Sequence, residues 1–101
     1  IVDPSRRYQT FLGFGGSFTE SSAELLLQMS PAHQNMVLEA YFSTEKGLGY
    51  TWGRLHMGAC DFSRGNWSCA EEAGDINLAS FTIERYHAAM LPMVLRAEKI
   101  A

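Results

Sequence analysis

The order of strand-like and helix-like segments constrains this chain more than any other feature. Residues 8–12, rich in aromatic and β-branched side chains, predict a strand, which Gly13-Phe14-Gly15-Gly16 would end or bend, since glycine permits positive φ and close backbone approach. A second strand is predicted over residues 50–57. Between them the spacing predicts two helices. The first covers residues 20–29, with Ala23, Leu26 and Leu27 on one face. The next opens with Ser30 as N-cap and Pro31 at the first helical position, where its missing N–H costs nothing, and runs to about Phe42. Met36, Val37, Ala40 and Tyr41 would form its buried stripe. Strands alternating with helices imply parallel pairing through right-handed crossovers. Two parallel strands alone would both be edges with uncovered faces, so the pattern fits two βα units of a larger α/β protein. In a TIM barrel of eight units these would be roughly the first quarter. A doubly wound sheet is the competing architecture.

Alternation within the second strand places Tyr50, Trp52, Arg54 and His56 on one face and Thr51, Gly53, Leu55 and Met57 on the other. Residues 61–81 are rich in Ser, Gly, Asn and Asp and predict a long irregular loop, a length that marks a functional loop more often than a connector. Thr82 is placed to cap a short helix through Leu91, and Pro92 to start or kink another that reaches Ala101.

Composition excludes several classes. The chain of 101 residues is 47% hydrophobic and 19% charged, the balance of a packed domain. Its net charge is −3 and its eight basic residues are scattered, so it lacks the basic stripe that nucleic acid requires. No apolar run approaches the roughly 20 residues of a transmembrane segment. The start has neither a signal-peptide pattern nor an initiator Met, and the chain is expected to begin inside a larger product. Cys60 and Cys69 form neither a disulfide framework nor a zinc pattern and are expected as free thiols, a thiol or redox role being the alternative. His33, His56 and His87 are too dispersed for a metal site, each reading as a surface or packing histidine, and no cofactor is expected.

The candidate chemistry lies at the strand ends. The glycines at 13–16 do not make a dinucleotide fingerprint, because Phe18 stands where the third glycine would fall and no P-loop follows. Arg54 is permanently charged, so if it points inward it must meet carboxylates, supplied by Asp61 or by another part of the protein; otherwise it is an edge arginine reaching solvent. Asp61 and Phe62 fall at the carboxyl end of the second strand, the catalytic face of parallel α/β architectures. A carboxylate beside an aromatic ring suits a sugar, accepting hydrogen bonds from hydroxyls while the ring covers an apolar sugar face, and Trp67 would add a second wall. The plainer reading is that Asp61 caps a turn. A retaining glycosidase needs two carboxyl groups about 5 to 5.5 Å apart, and nothing in the sequence identifies such a pair among Glu20, Glu71, Glu72 and Asp75. Asn66-Trp67-Ser68 matches the N-glycosylation sequon, a short pattern that is often accidental.

Tyr8-Gln9-x-x-x-Gly13-Phe14-Gly15-Gly16-x-x-Thr19, then Ser30-Pro31, Tyr41-Phe42-Ser43 and Gly49-Tyr50-x-x-x-Arg54-x-x-Met57-x-x-Cys60-Asp61-Phe62-Ser63, resemble the opening of the glucosylceramidase-type glycoside hydrolases of family 30. The resemblance runs from about Asp3 to Ala101 in order and spacing. It implies a (β/α)8 barrel with an attached β-sandwich, residues 1–7 being the end of a sandwich strand or a lead-in. It implies hydrolysis of a β-glucosidic bond with retention, on a β-glucoside or glucosylceramide-like substrate. By position, Asp61 resembles the aspartate that binds glucose hydroxyls, Phe62 the aromatic beside it, Arg54 the arginine that supports the nucleophile, and Trp67 an aromatic at the site entrance. The family's two catalytic glutamates follow the fourth and seventh strands. The chain therefore resembles an N-terminal fragment, expected to hold no catalytic residue, to be inactive alone and to need the remainder of the barrel. A non-catalytic carbohydrate-binding module is the alternative.

Overall fold

The computed structural model describes residues 2–101, so Ile1 of the expected lead-in lies outside the described residues. Strand β1 (Gly15–Phe18) pairs in parallel with β2 (Trp52–Leu55), with Gly15 opposite Trp52, Ser17 opposite Arg54 and Phe18 opposite Leu55. The expected parallel pairing is present, but the first strand is displaced from its expected position. Residues 8–12 are irregular and exposed; of the glycines that were to end a strand, Gly15 and Gly16 lie within it, while Gly13 precedes it with a positive φ of 121°. The reason is steric. A Cβ on Gly15 would run into the Trp52 carbonyl, and one on Gly53 into the Phe18 ring, so these two glycines permit close approach. The aromatic residues of the earlier segment stay outside, with Phe11 and Phe14 packed edge to face at 4.9 Å.

Helix α1 (Glu20–Gln28) begins where its cap requires: Thr19 is extended, and its hydroxyl accepts from the Ser22 N–H at 3.2 Å. Ala23 and Leu26 are buried as expected, whereas Leu27 is exposed, at 45%. Helix α2 (Pro31–Phe42) has the predicted start, the Ser30 hydroxyl accepting from the His33 N–H at 3.4 Å. Its buried stripe is not the predicted one. Gln34 and Leu38 are buried and Val37 half-buried, while Met36, Ala40 and Tyr41 are exposed. A helix apolar on several sides does not reveal which side a neighbour will cover. Here a polar residue takes the inner face because its bonds are satisfied: the Gln34 amide donates to the Leu27 and Met29 carbonyls at 3.3 and 2.8 Å, and Arg96 donates back to its oxygen.

Between β2 and α3 (Glu84–His87) no helix or strand occurs among the described residues, in agreement with the predicted loop. Thr82 does accept from the Glu84 N–H at 3.1 Å, but α3 is a single turn. Helix α4 (Met90–Glu98) follows directly, with Pro92 in its first turn, where no intrahelical partner for an N–H is lost. Phe18, Ala23, Leu26, Leu38, Tyr86, Ala89, Met90, Met93 and Ala97 form one core. The helices pack on the Phe18 side of the sheet, and strand alternation puts Ser17 and Arg54 on the opposite, exposed side. The result is a two-stranded parallel sheet covered on one face only. Among the described residues no helix is long and apolar enough to cross a membrane.

Candidate functional site

The carboxyl ends of both strands lead into one polar cluster. From β1 the chain passes through Thr19 into α1, and the Glu20 N–H donates to Nε2 of His56, which follows β2, at 3.2 Å. That bond makes Nε2 an acceptor, so Nδ1 carries the proton and donates to the Gly58 carbonyl at 2.5 Å. The Tyr86 hydroxyl from α3 donates to the His56 carbonyl at 2.9 Å and accepts from the Gly58 N–H at 2.8 Å. Burial, then the hydrogen bond with the Cys69 thiol, raises the Tyr86 pKa above the ordinary phenol value. His56 is thus a packing histidine, which satisfies the backbone where β2 ends.

The Glu20 carboxylate stands at the centre of this cluster, with its side chain only 6% exposed. One oxygen accepts from the Arg85 Nε–H at 2.8 Å; the other accepts from the Trp67 indole N–H at 3.0 Å and the Arg64 backbone N–H at 3.4 Å. Burial is the largest single influence on its pKa and pushes it up, but hydrogen bonds from Arg85, Trp67 and Ser63, with the charge of Arg85, outweigh burial and hold it below the ordinary glutamate value. Glu20 is therefore ionised at neutral pH and fully engaged, a structural anion. Trp67 packs edge to face on Tyr86 at 5.3 Å and on His56 at 6.0 Å, and the Arg85 guanidinium lies over its ring at 4.9 Å.

Asp61 and Phe62 lie in a tight turn outside the cluster. The Ser63 N–H donates to the Cys60 carbonyl at 3.0 Å and the Cys60 N–H donates to the Ser63 hydroxyl at 3.1 Å, so the turn closes without the Asp61 carboxylate. The turn-capping reading of Asp61 is therefore not what the geometry displays. Asp61 and Phe62 are both exposed. The Phe62 carbonyl is held from the start of α1, accepting from the Ser21 N–H at 3.0 Å and the Ser21 hydroxyl at 2.6 Å.

The predicted site residues are thus placed unequally. Asp61 and Phe62 share one turn, and Trp67 bonds to the same Glu20 oxygen as the Arg64 N–H that follows it. Arg54 is exposed on the uncovered face of β2 and is not joined to Asp61; the ion pairs among the described residues are Arg6–Asp3, Arg64–Glu24 and Arg85–Glu20. Glu71 accepts from the Ser68 N–H at 3.0 Å, and Asp75 accepts from the Ser80 N–H and hydroxyl and the Ala79 N–H, bonds that hold its pKa below the ordinary aspartate value. Both serve their own loop. Cys60 and Cys69 are free thiols, and the described residues contain no cluster of metal-ligating side chains. Sequence reasoning missed Ser21, Arg85 and Tyr86. Their contacts span sequence separations of 41, 65 and 30 residues, and no local pattern announces them.

Residues 11–101 match the glycosyl hydrolase family 30 TIM-barrel domain. The lysosomal acid glucosylceramidase of Mus musculus is 32% identical over 101 residues, covering 99% of this chain and 19% of that protein. The solved structure of the endo-β1,6-glucanase BT3312 superimposes with a TM-score of 0.85 at 30% identity, covering 97% of this chain and 21% of that one. SrfJ from Salmonella typhimurium gives a TM-score of 0.84 at 31% identity over 96% of this chain and 22% of its own. The chain spans about a fifth of the length of these relatives. The two parallel strands with their helices are thus a piece of a barrel, and the doubly wound alternative is set aside.

Proposed function

Because the chain belongs to glycosyl hydrolase family 30, we propose that it forms the first two βα units of the (β/α)8 barrel of a retaining, glucosylceramidase-like β-glucosidase. The observation that carries this reading is the open Asp61-Phe62 turn at the carboxyl end of a parallel strand pair, within a chain matched almost end to end by a glucosylceramidase. Residues 1–7 lead in from an attached β-sandwich. Asp61 accepts hydrogen bonds from glucose hydroxyls, and the exposed Phe62 ring covers the apolar face of the sugar. Trp67, its orientation fixed by Glu20, lines the entrance.

Arg54, on the face away from the helices, orients the nucleophilic carboxylate. Both catalytic glutamates belong to parts of the barrel outside residues 1–101. One protonates the leaving oxygen as the other attacks the anomeric carbon, breaking the glycosidic bond and forming a glycosyl-enzyme; water, deprotonated by the first, then releases the sugar. Of the acids weighed in the sequence, Glu20, Glu71 and Asp75 are each held by donors of their own, and none of the three is part of a pair set for catalysis. A free-standing carbohydrate-binding module fits less well. Phe11, Phe14 and Trp52 are more than half exposed, as expected of surfaces that the remaining strands cover.

The test is to follow hydrolysis of an aryl β-glucoside by the complete enzyme with NMR. Two displacements restore the starting configuration, so the β-anomer of glucose is expected first, with the α-anomer appearing only by mutarotation. Initial release of α-glucose, or no cleavage, overturns the reading.

A further inference from the structure

We propose that Glu20 and Ser21, the first two residues of α1, are positioning residues for the sugar-binding turn. The inference rests on the reading of Asp61 given above and goes beyond it by assigning what holds Asp61 in place. The turn has no regular structure to order it, and it receives two anchors from consecutive residues. Ser21 holds the Phe62 carbonyl through its N–H and its hydroxyl, and Glu20 holds the Arg64 N–H and the Trp67 indole N–H. The anchors lie on either side of Ser63, close enough to fix the backbone that carries Asp61 and Phe62.

The anchoring points are themselves fixed. Thr19 caps the helix, the Glu20 N–H is bonded to His56 at the end of β2, and Arg85 from α3 balances the buried charge. The geometry of the turn is therefore transmitted from the sheet, which also carries Arg54. A binding group already held in its bound position loses less conformational entropy when the sugar arrives, so loss of the anchors weakens binding more than chemistry.

Glu20→Gln keeps the shape but removes the charge and turns an NH2 towards other donors. In the complete enzyme it is expected to raise KM for an aryl β-glucoside about tenfold with kcat within about threefold, the loss expected for a charge-assisted hydrogen bond. Amide hydrogen exchange across residues 61–67 is expected to accelerate at the same time. Ser21→Ala removes one hydroxyl from an exposed residue, cannot unfold the barrel, and is expected to raise KM about threefold with an unchanged melting temperature. It carries the test if Glu20→Gln does not fold.

Asp61→Ala serves as the reference. If it impairs binding while the anchor variants leave KM at the wild-type value, the positioning proposal fails and the glycosidase reading stands. Unchanged exchange across residues 61–67 in both anchor variants overturns it as well, whatever the kinetics. If the wild-type enzyme cleaves no β-glucoside, the functional reading itself falls, and the positioning role falls with it.

Discussion

Replacing Arg54 with alanine in the complete enzyme is expected to lower kcat about a hundredfold, the equivalent of one charge-assisted hydrogen bond that matters most in the transition state. The expectation follows from the strand. Register and alternation put Arg54 beside Ser17 on the face turned away from α1, α2 and α4, where the interior of a closed barrel would be. A guanidinium enclosed there stays charged and must be met by carboxylates. It presents a planar fork that holds one in a fixed orientation. The nucleophile attacks only from a narrow range of positions, so losing its orienting partner slows glycosylation more than it weakens substrate binding. Arg54→Lys, with charge but no fork, is expected to recover only part of the loss. A kcat within threefold of wild type for Arg54→Ala would show that the arginine is a solvent-facing edge residue.

Asp61→Ala is expected to lower kcat/KM for a β-glucoside at least tenfold. Its carboxylate is exposed and not used to close its own turn, so it is available to accept bonds from sugar hydroxyls. A hydrogen bond from a neutral donor to a charged acceptor is worth about 1.5 to 3 kcal/mol, and even one such bond accounts for a tenfold change. Because Asp61 is exposed and its turn is tied by Ser63 and Ser21, the substitution should leave the melting temperature unaltered. Kinetics that do not change would remove Asp61 from the sugar site.

The features legible in the sequence are those decided locally. Ser30-Pro31 marked the start of α2 because an N-cap and the first helical position are satisfied within one turn. The Ser, Gly, Asn and Asp content of residues 61–81 marked the loop for the same reason. What escaped notice depended on neighbours. Tyr8 to Leu12 had the composition of a strand, yet Gly15–Phe18 became one, where the missing Cβ of Gly15 leaves room for the Trp52 backbone. Gln34 suits the core only through Leu27, Met29 and Arg96, none of them adjacent to it in sequence, so no local pattern marks it. At the site, the Asp61-Phe62 turn was legible from its position at a strand end. Its support was not, since Glu20 looked like one more acid near a loop until Arg85 and Trp67 were brought to it.

The most direct measurement is a covalent trap. An activated 2-deoxy-2-fluoro-β-glucoside has a good leaving group but a destabilised oxocarbenium-like transition state, so a retaining glucosidase forms its glycosyl-enzyme and releases it slowly. The complete enzyme, incubated with this reagent and analysed by intact mass and peptide mapping, is expected to gain one fluoroglucosyl group on a glutamate outside residues 1–101. An enzyme that hydrolyses β-glucosides yet accumulates no adduct, or an adduct on Glu20, Glu71 or Glu72, would contradict the account.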